Sequence, residues 1–144
     1  MIEQDTIKLL RECDSGIKMG VKSIDDVVGR VRDENFRKSL LDCKREHERL
    51  ADDVEDLLNK YHDEGRDPSV ATSWMSKLMT NVKLAADDSD ETVSDLMTDG
   101  CNMGVKSLSR YLNQYRAADE DSKNITKKLI CLESDLSEEI RRYL

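Results

Sequence analysis

The chain has 144 residues, enough for one domain, with charged residues at 38%, the apolar set also at 38% and aromatics at only 4%. Its net charge of −8 offers none of the basic footprint that nucleic-acid binding needs, and no apolar run approaches the roughly 18 residues of a membrane span. Six glycines, one proline and heavy use of Leu, Lys, Glu, Asp, Arg and Met predict an all-α protein.

The first helix is predicted over residues 5–31. Leu10, Cys13, Ile17, Val21, Ile24, Val28 and Val31 step by three and four, with a wet face between them. The second is predicted over residues 35–62, on the a/d series Phe36, Leu40, Cys43, His47, Leu50, Val54, Leu57 and Tyr61. Asp33 or Asn35 suits its N-cap, and Gly65 and Pro68 end the pattern. A short turn between the two makes them antiparallel neighbours. Residues 63–89 read as a crossover, with a short helix at about 70–84 presenting Trp74, Leu78 and Val82. The third long helix is predicted over residues 90–117 on Met97, Cys101, Gly104, Val105, Leu108, Tyr111, Leu112 and Tyr115. The fourth is predicted over residues 121–144 on Ile125, Leu129, Leu132, Leu136, Ile140 and Tyr143.

An internal repeat organises these helices. Asp14 to Ser23 matches Thr98 to Ser107 at an offset of 84, with Met-Gly-Val-Lys-Ser identical in both copies. An offset of 89 then places Phe36 on Ile125 and Leu40 on Leu129, which makes the second hairpin turn about five residues longer. The long link between hairpins can return the chain along the bundle, so that the third helix runs parallel to the second. That is the one-crossover arrangement of a ferritin-like four-helix bundle. Gly16 and Gly20 in the first copy, and Gly100 and Gly104 in the second, are each four apart and mid-helix. Glycine there costs about 1 kcal/mol relative to alanine. Close packing of the first and third helices across these glycines is the expected compensation; glycines left by drift, and room for a ligand, are the alternatives.

The stretch Leu10-Arg-Glu-Cys-Asp-Ser-Gly-Ile-Lys-Met-Gly20, opening a two-hairpin helical chain, resembles an uncharacterised bacterial family of ferritin-like bundles. The resemblance covers most of the chain and implies a fold without an assigned function, inside a superfamily that includes di-iron proteins. A di-iron site of that type needs inward glutamates and two Glu-x-x-His motifs. Here Lys44 precedes His47 by three, Asn59 precedes His62 by three, and the fourth helix has no histidine. No ferritin-type iron centre, and no other cofactor, is expected.

His47 is the unusual residue, because it interrupts an apolar stripe. Cys43 and His47 share a helix face at i and i+4 and are the candidate metal ligands, with Cys101 or a methionine as a third. The alternative is a histidine bonded to a nearby acid or hydroxyl, with Cys43 as a small apolar residue. The four cysteines, Cys13, Cys43, Cys101 and Cys131, form no CxxC pair, and the first residues lack a secretion signal. Reduced thiols in the cytoplasm are expected. No nucleophile–base set or phosphate loop is present in the sequence. The expected role is a non-catalytic interaction or structural module, with a homodimer or an unidentified protein as partner, and with neither nucleic acid nor membrane. The rival is a metal-binding or redox bundle using Cys43 and His47.

Overall fold

The computed structural model describes residues 2–65 and 89–144, and the short helix expected at 70–84 lies outside them. Four long helices are present: α1 (Ile2–Val28), α2 (Glu34–Lys60), α3 (Asp90–Gln114) and α4 (Glu120–Ile140), followed by a 3-10 turn at Arg141–Tyr143. No strand occurs among the described residues.

Three of the four starts have a local cause. Asp33, Ser89 and Asp119 stand at the N-caps of α2, α3 and α4, and their side chains accept from the amides of Phe36, Thr92 and Ser122. α1 stops at Val28 rather than at the expected Val31, because Gly29 follows and the chain turns on bonds from Arg30 and Val31 to the carbonyls of Val27 and Val28. Val31 stays buried in the turn. α2 ends at Lys60 in a Schellman closure. The amide of His62 bonds the Asn59 carbonyl and that of Asp63 bonds the Leu58 carbonyl, with His62 left-handed at φ 56°.

Two turns of equal length replace the expected pair of unequal ones. Five residues separate α1 from α2, and five separate α3 from α4. The caps Asp33 and Asp119 are 86 positions apart, so the offset of 89 between α2 and α4 is corrected to 86. The apolar stripes had suggested 89, because a period of three or four also matches a shift of three.

α1 packs on α2, α3 packs on α4, and α2 packs on α4 to join the hairpins; α1 touches α4 across the middle and meets α3 more sparsely. Two apolar clusters fill the bundle. One unites Ile24 and Val27 with Phe36, Leu40, Val93 and Ile140; the other unites Leu10 and Cys13 with Val54, Leu58, Leu108 and Ile125. The end of α1 therefore lies with the starts of α2 and α3, so α2 and α3 run parallel. The chain leaves α2 at one end of the bundle and enters α3 at the other. Phe36 is fully buried, which contributes about 2–3 kcal/mol, and stacks on Tyr143 at 4.5 Å. Leu58 rather than Leu57, and Val27 rather than Val28, takes the core position, because 3.6 residues per turn drifts against a strict 3.5 repeat.

The two hairpins clasp each other reciprocally. The Asp90 carboxylate, at the start of α3, accepts from the amides of Arg32 and Asp33 in the first turn, at 2.8 and 2.9 Å. Thr6 and Asp5, at the start of α1, accept from Asp119 and Ala117 in the second, at 2.8 and 3.0 Å. Thr6 and Asp90 are equivalent under the repeat offset of 84.

Candidate functional site

A polar layer separates the two apolar clusters. On α1 it is Gly20, between Ile17 and Ile24; on α2 it is His47, between Cys43 and Leu50. On α3 it is Gly104, between Cys101 and Leu108; on α4 it is Glu133, between Leu129 and Leu136. In each helix the flanking residues belong to different clusters. The repeat relates Gly20 to Gly104 at 84 positions, and the N-caps relate His47 to Glu133 at 86. The layer therefore has an approximate two-fold arrangement of two glycines and one His–Glu pair.

His47 is 1% exposed. Its Nδ1–H donates to the Cys43 carbonyl at 2.8 Å, an acceptor-only group, which fixes a proton on that nitrogen. Nε2–H donates to Glu133 Oε1 at 2.8 Å, bridging α2 and α4. Burial by itself lowers the imidazole pKa. Hydrogen bonds to Cys43 and Glu133 and the adjacent carboxylate charge outweigh it and push the value up to about 10. The group is thus an imidazolium paired with a carboxylate. Cys101 lies 2% exposed on α3. Burial, then the Glu133 charge and a hydrogen bond to it, raise its pKa and keep it a neutral thiol.

The helical spacing does bring Cys43 and His47 together, with Sγ 3.5 Å from Nδ1. Both ring nitrogens are nevertheless committed, one to the Cys43 carbonyl and one to Glu133. Among the described residues no group of three or more His, Cys, Asp or Glu side chains is placed to hold a metal ion. All four cysteines are free; Cys13, Cys43 and Cys101 are buried and Cys131 is exposed. Cys13 shares a hydrogen bond with Thr126 at 3.1 Å, and burial pushes its thiol up to about 12.

At Gly16, Gly20 and Gly104 the nearest facing atoms are side-chain atoms, not backbone. A Cβ at Gly16 would have only Leu129 of α4 within 4 Å. One at Gly20 would lie 3.0 Å from His47 Nε2, and the atoms nearest one at Gly104 belong to Glu133, at 3.5 Å and beyond. Instead of the expected close crossing, Gly16, Gly20, Gly100 and Gly104 border a cleft of about 240 Å³ between α1 and α3, floored by His47 and Glu133. Met19, Met97, Leu108 and Leu129 supply apolar lining, and Ser23 lies along it.

Glu133 is the member of this layer that sequence periodicity does not find. It follows Leu132, which was read as the stripe. The available signal was its spacing of four after Leu129 and three before Leu136, which places it on the inner face. No helix among the described residues is long and apolar enough to cross a membrane. No protein-family model, curated protein or solved structure matches the chain.

Proposed function

We propose that the chain is a ferritin-like, one-crossover bundle that serves as a non-catalytic binding module, and that it engages a small ligand in the cleft between α1 and α3. The observation that carries this reading is the composition of the central layer. A di-iron bundle directs carboxylates and imidazoles inward from four helices at such a level. Here two helices present glycine and the other two present a histidine and a glutamate bonded to each other. Neither ring nitrogen is free to take a proton from a nucleophile or to bind a metal. What remains is space beside a fixed ion pair, which suits binding better than turnover.

Two measurements test the reading. Elemental analysis of protein purified without chelator is expected to find no stoichiometric zinc, iron or copper. A stoichiometric metal, lost in His47→Ala, would establish the metal-binding alternative instead. Amide spectra recorded against a library of small fragments are expected to show shifts at Gly20, Gly100 and Gly104. A library that leaves those amides unmoved would remove the binding role.

A further inference from the structure

The cleft also indicates what kind of molecule it takes. Its lining carries two acids, Glu12 and Glu133, and neither lysine nor arginine. Its one other titratable cation, His47, is already held by Glu133. An anion entering here would face the Glu133 carboxylate, and the His47 charge beside it is already engaged. Glu133 has about four acceptor positions. His47 occupies one. Oε2 lies 3.6 Å from the place a Gly104 Cβ would fill, on the side that α3 leaves open.

Ser23 provides an independent sign. Its residue is 4% exposed, it borders the cleft, and its hydroxyl has no hydrogen-bond partner. A buried hydroxyl left unsatisfied is costly, and native structures contain few of them. A turn of the Ser23 side chain about χ1 would bring this hydroxyl to the cleft, where a ligand that presents donors would satisfy it together with the remaining Glu133 acceptor positions.

Ser15, Ser107 and Tyr111 also border the cleft, and much of the remaining lining is apolar. Met19, Met97, Leu108 and Leu129 line the space, and methionine adapts to unbranched aliphatic chains. A volume of about 240 Å³ is below the roughly 300–1,000 Å³ of drug-sized sites, which limits the occupant to a small molecule.

On these grounds, and resting on the binding role given above, we infer that the cleft takes a small linear primary amine as its ammonium form, with the head on Glu133 and Ser23 and the aliphatic body along the methionines and leucines. The ammonium group has three donors and no acceptor, which matches an acceptor-rich floor. A carboxylate or phosphate head would instead set its own oxygens against those of Glu133.

The test titrates the full chain with n-hexylammonium chloride, sodium hexanoate and 1-hexanol in parallel, following the amides of Gly20, Gly104 and Ser23. The amine is expected to bind at least tenfold more tightly than hexanoate or hexanol. Ser23→Ala removes an unsatisfied hydroxyl, so it should fold at least as well as the parent while weakening amine binding about fivefold, the worth of one hydrogen bond. Hexanol or hexanoate binding at the same amides as tightly as the amine overturns the ligand class and leaves the cleft as a binding site. An amine affinity unchanged in Ser23→Ala overturns the placement of the head group. Failure of all three probes overturns the inference, and the binding role falls with it only when the fragment library fails as well.

Discussion

A methyl group at Gly20 would stand 3.0 Å from Nε2 of His47 and 3.1 Å from Cδ2. The glycine of α1 thus leaves the space in which the imidazole of α2 reaches Glu133 of α4. The ring has no freedom to retreat, because both nitrogens are bonded. Gly20→Ala should lower stability by about 1 kcal/mol, the net of about 2 kcal/mol of overpacking and about 1 kcal/mol gained in helix propensity. Gly104→Ala meets Glu133 only at 3.5 Å, an ordinary contact. It should raise stability by up to about 1 kcal/mol. Urea denaturation of the two variants checks the opposite signs. Equal effects would show that the glycines share one packing role.

The His47–Glu133 pair should dominate the response of the central layer to mutation. Glu133→Gln keeps the shape of the side chain and removes its charge, leaving a buried imidazolium without its counter-ion. Removing one partner of a buried pair costs about 3–5 kcal/mol. Glu133 is 13% exposed, so about 3 kcal/mol is the expected loss. The double variant His47→Leu with Glu133→Gln should recover part of it, since the uncompensated charge is then gone. A double-mutant cycle from denaturant midpoints measures the coupling, and additive losses would contradict a charged pair.

The same pair sets a pH dependence. His47 has an ordinary value of 6.5 when unfolded and about 10 when folded. Its stabilisation is complete below pH 6.5 and is lost as pH rises toward 10, because the unfolded chain releases the proton first. Glu133 and Cys43 are the titratable groups facing it, and Cys101 acts on those two rather than on the ring. Cys101 and Cys13 are thiols raised above their ordinary 9.0. Their own loss of stability sets in as pH nears 9, so measurements between about pH 6.5 and 8.5 report mainly the histidine. The unfolding free energy should fall across that window, by at most about 1.4 kcal/mol per pH unit. In Glu133→Gln the fall should be smaller. A parent profile flat from pH 6.5 to 8.5 would mean that the imidazole is neutral in the folded chain.

Four long helices were legible because each carries one apolar stripe and one wet face. The antiparallel hairpins followed from the short turn after α1 and from the repeat. The site was legible only in halves. His47 stood out as a polar residue in the α2 stripe, but Glu133 was masked by Leu132 beside it, since counting apolar positions favours the leucine. The glycines were visible, yet a close helix crossing and a cleft both call for small residues on one ridge. Only the side chains that approach from α2 and α4 separate the two. The equivalence of His47 and Glu133 depended on the caps, because apolar periodicity tolerates a shift of three and cap chemistry does not.

The clasp between hairpins gives a prediction away from the layer. Asp90 receives two backbone amides of the first turn while standing in the first turn of α3. Asp90→Ala leaves both amides to solvent and removes a favourable charge from a helix N-terminus, for a loss of about 1–2 kcal/mol. Asp90→Asn retains an acceptor for one of the two amides and should lose less. Amide exchange at Arg32 and Asp33 should quicken in the alanine variant more than in the asparagine variant. Unchanged exchange at both would show that the first turn holds its shape without α3.

The end of α2 offers a stabilising change. His62 sits at φ 56°, the left-handed position that closes the Schellman bonds to Leu58 and Asn59. A residue with a Cβ pays roughly 1–2 kcal/mol there, somewhat less for histidine than for a β-branched side chain. Glycine carries no such cost, although it also loses more freedom on folding. His62→Gly should therefore raise stability by about 1 kcal/mol, while His62→Val should lower it by a comparable amount or more. The bond from Arg11 to Asp63, at 3.1 Å from Nε, lies next to this turn and ties it to α1. Strain relieved in the turn should therefore appear in global unfolding and not only in local fraying. Thermal melts of the two variants, read together with exchange of the Asp63 amide, check this. A destabilised glycine variant would mean that the His62 side chain itself supports the end of α2.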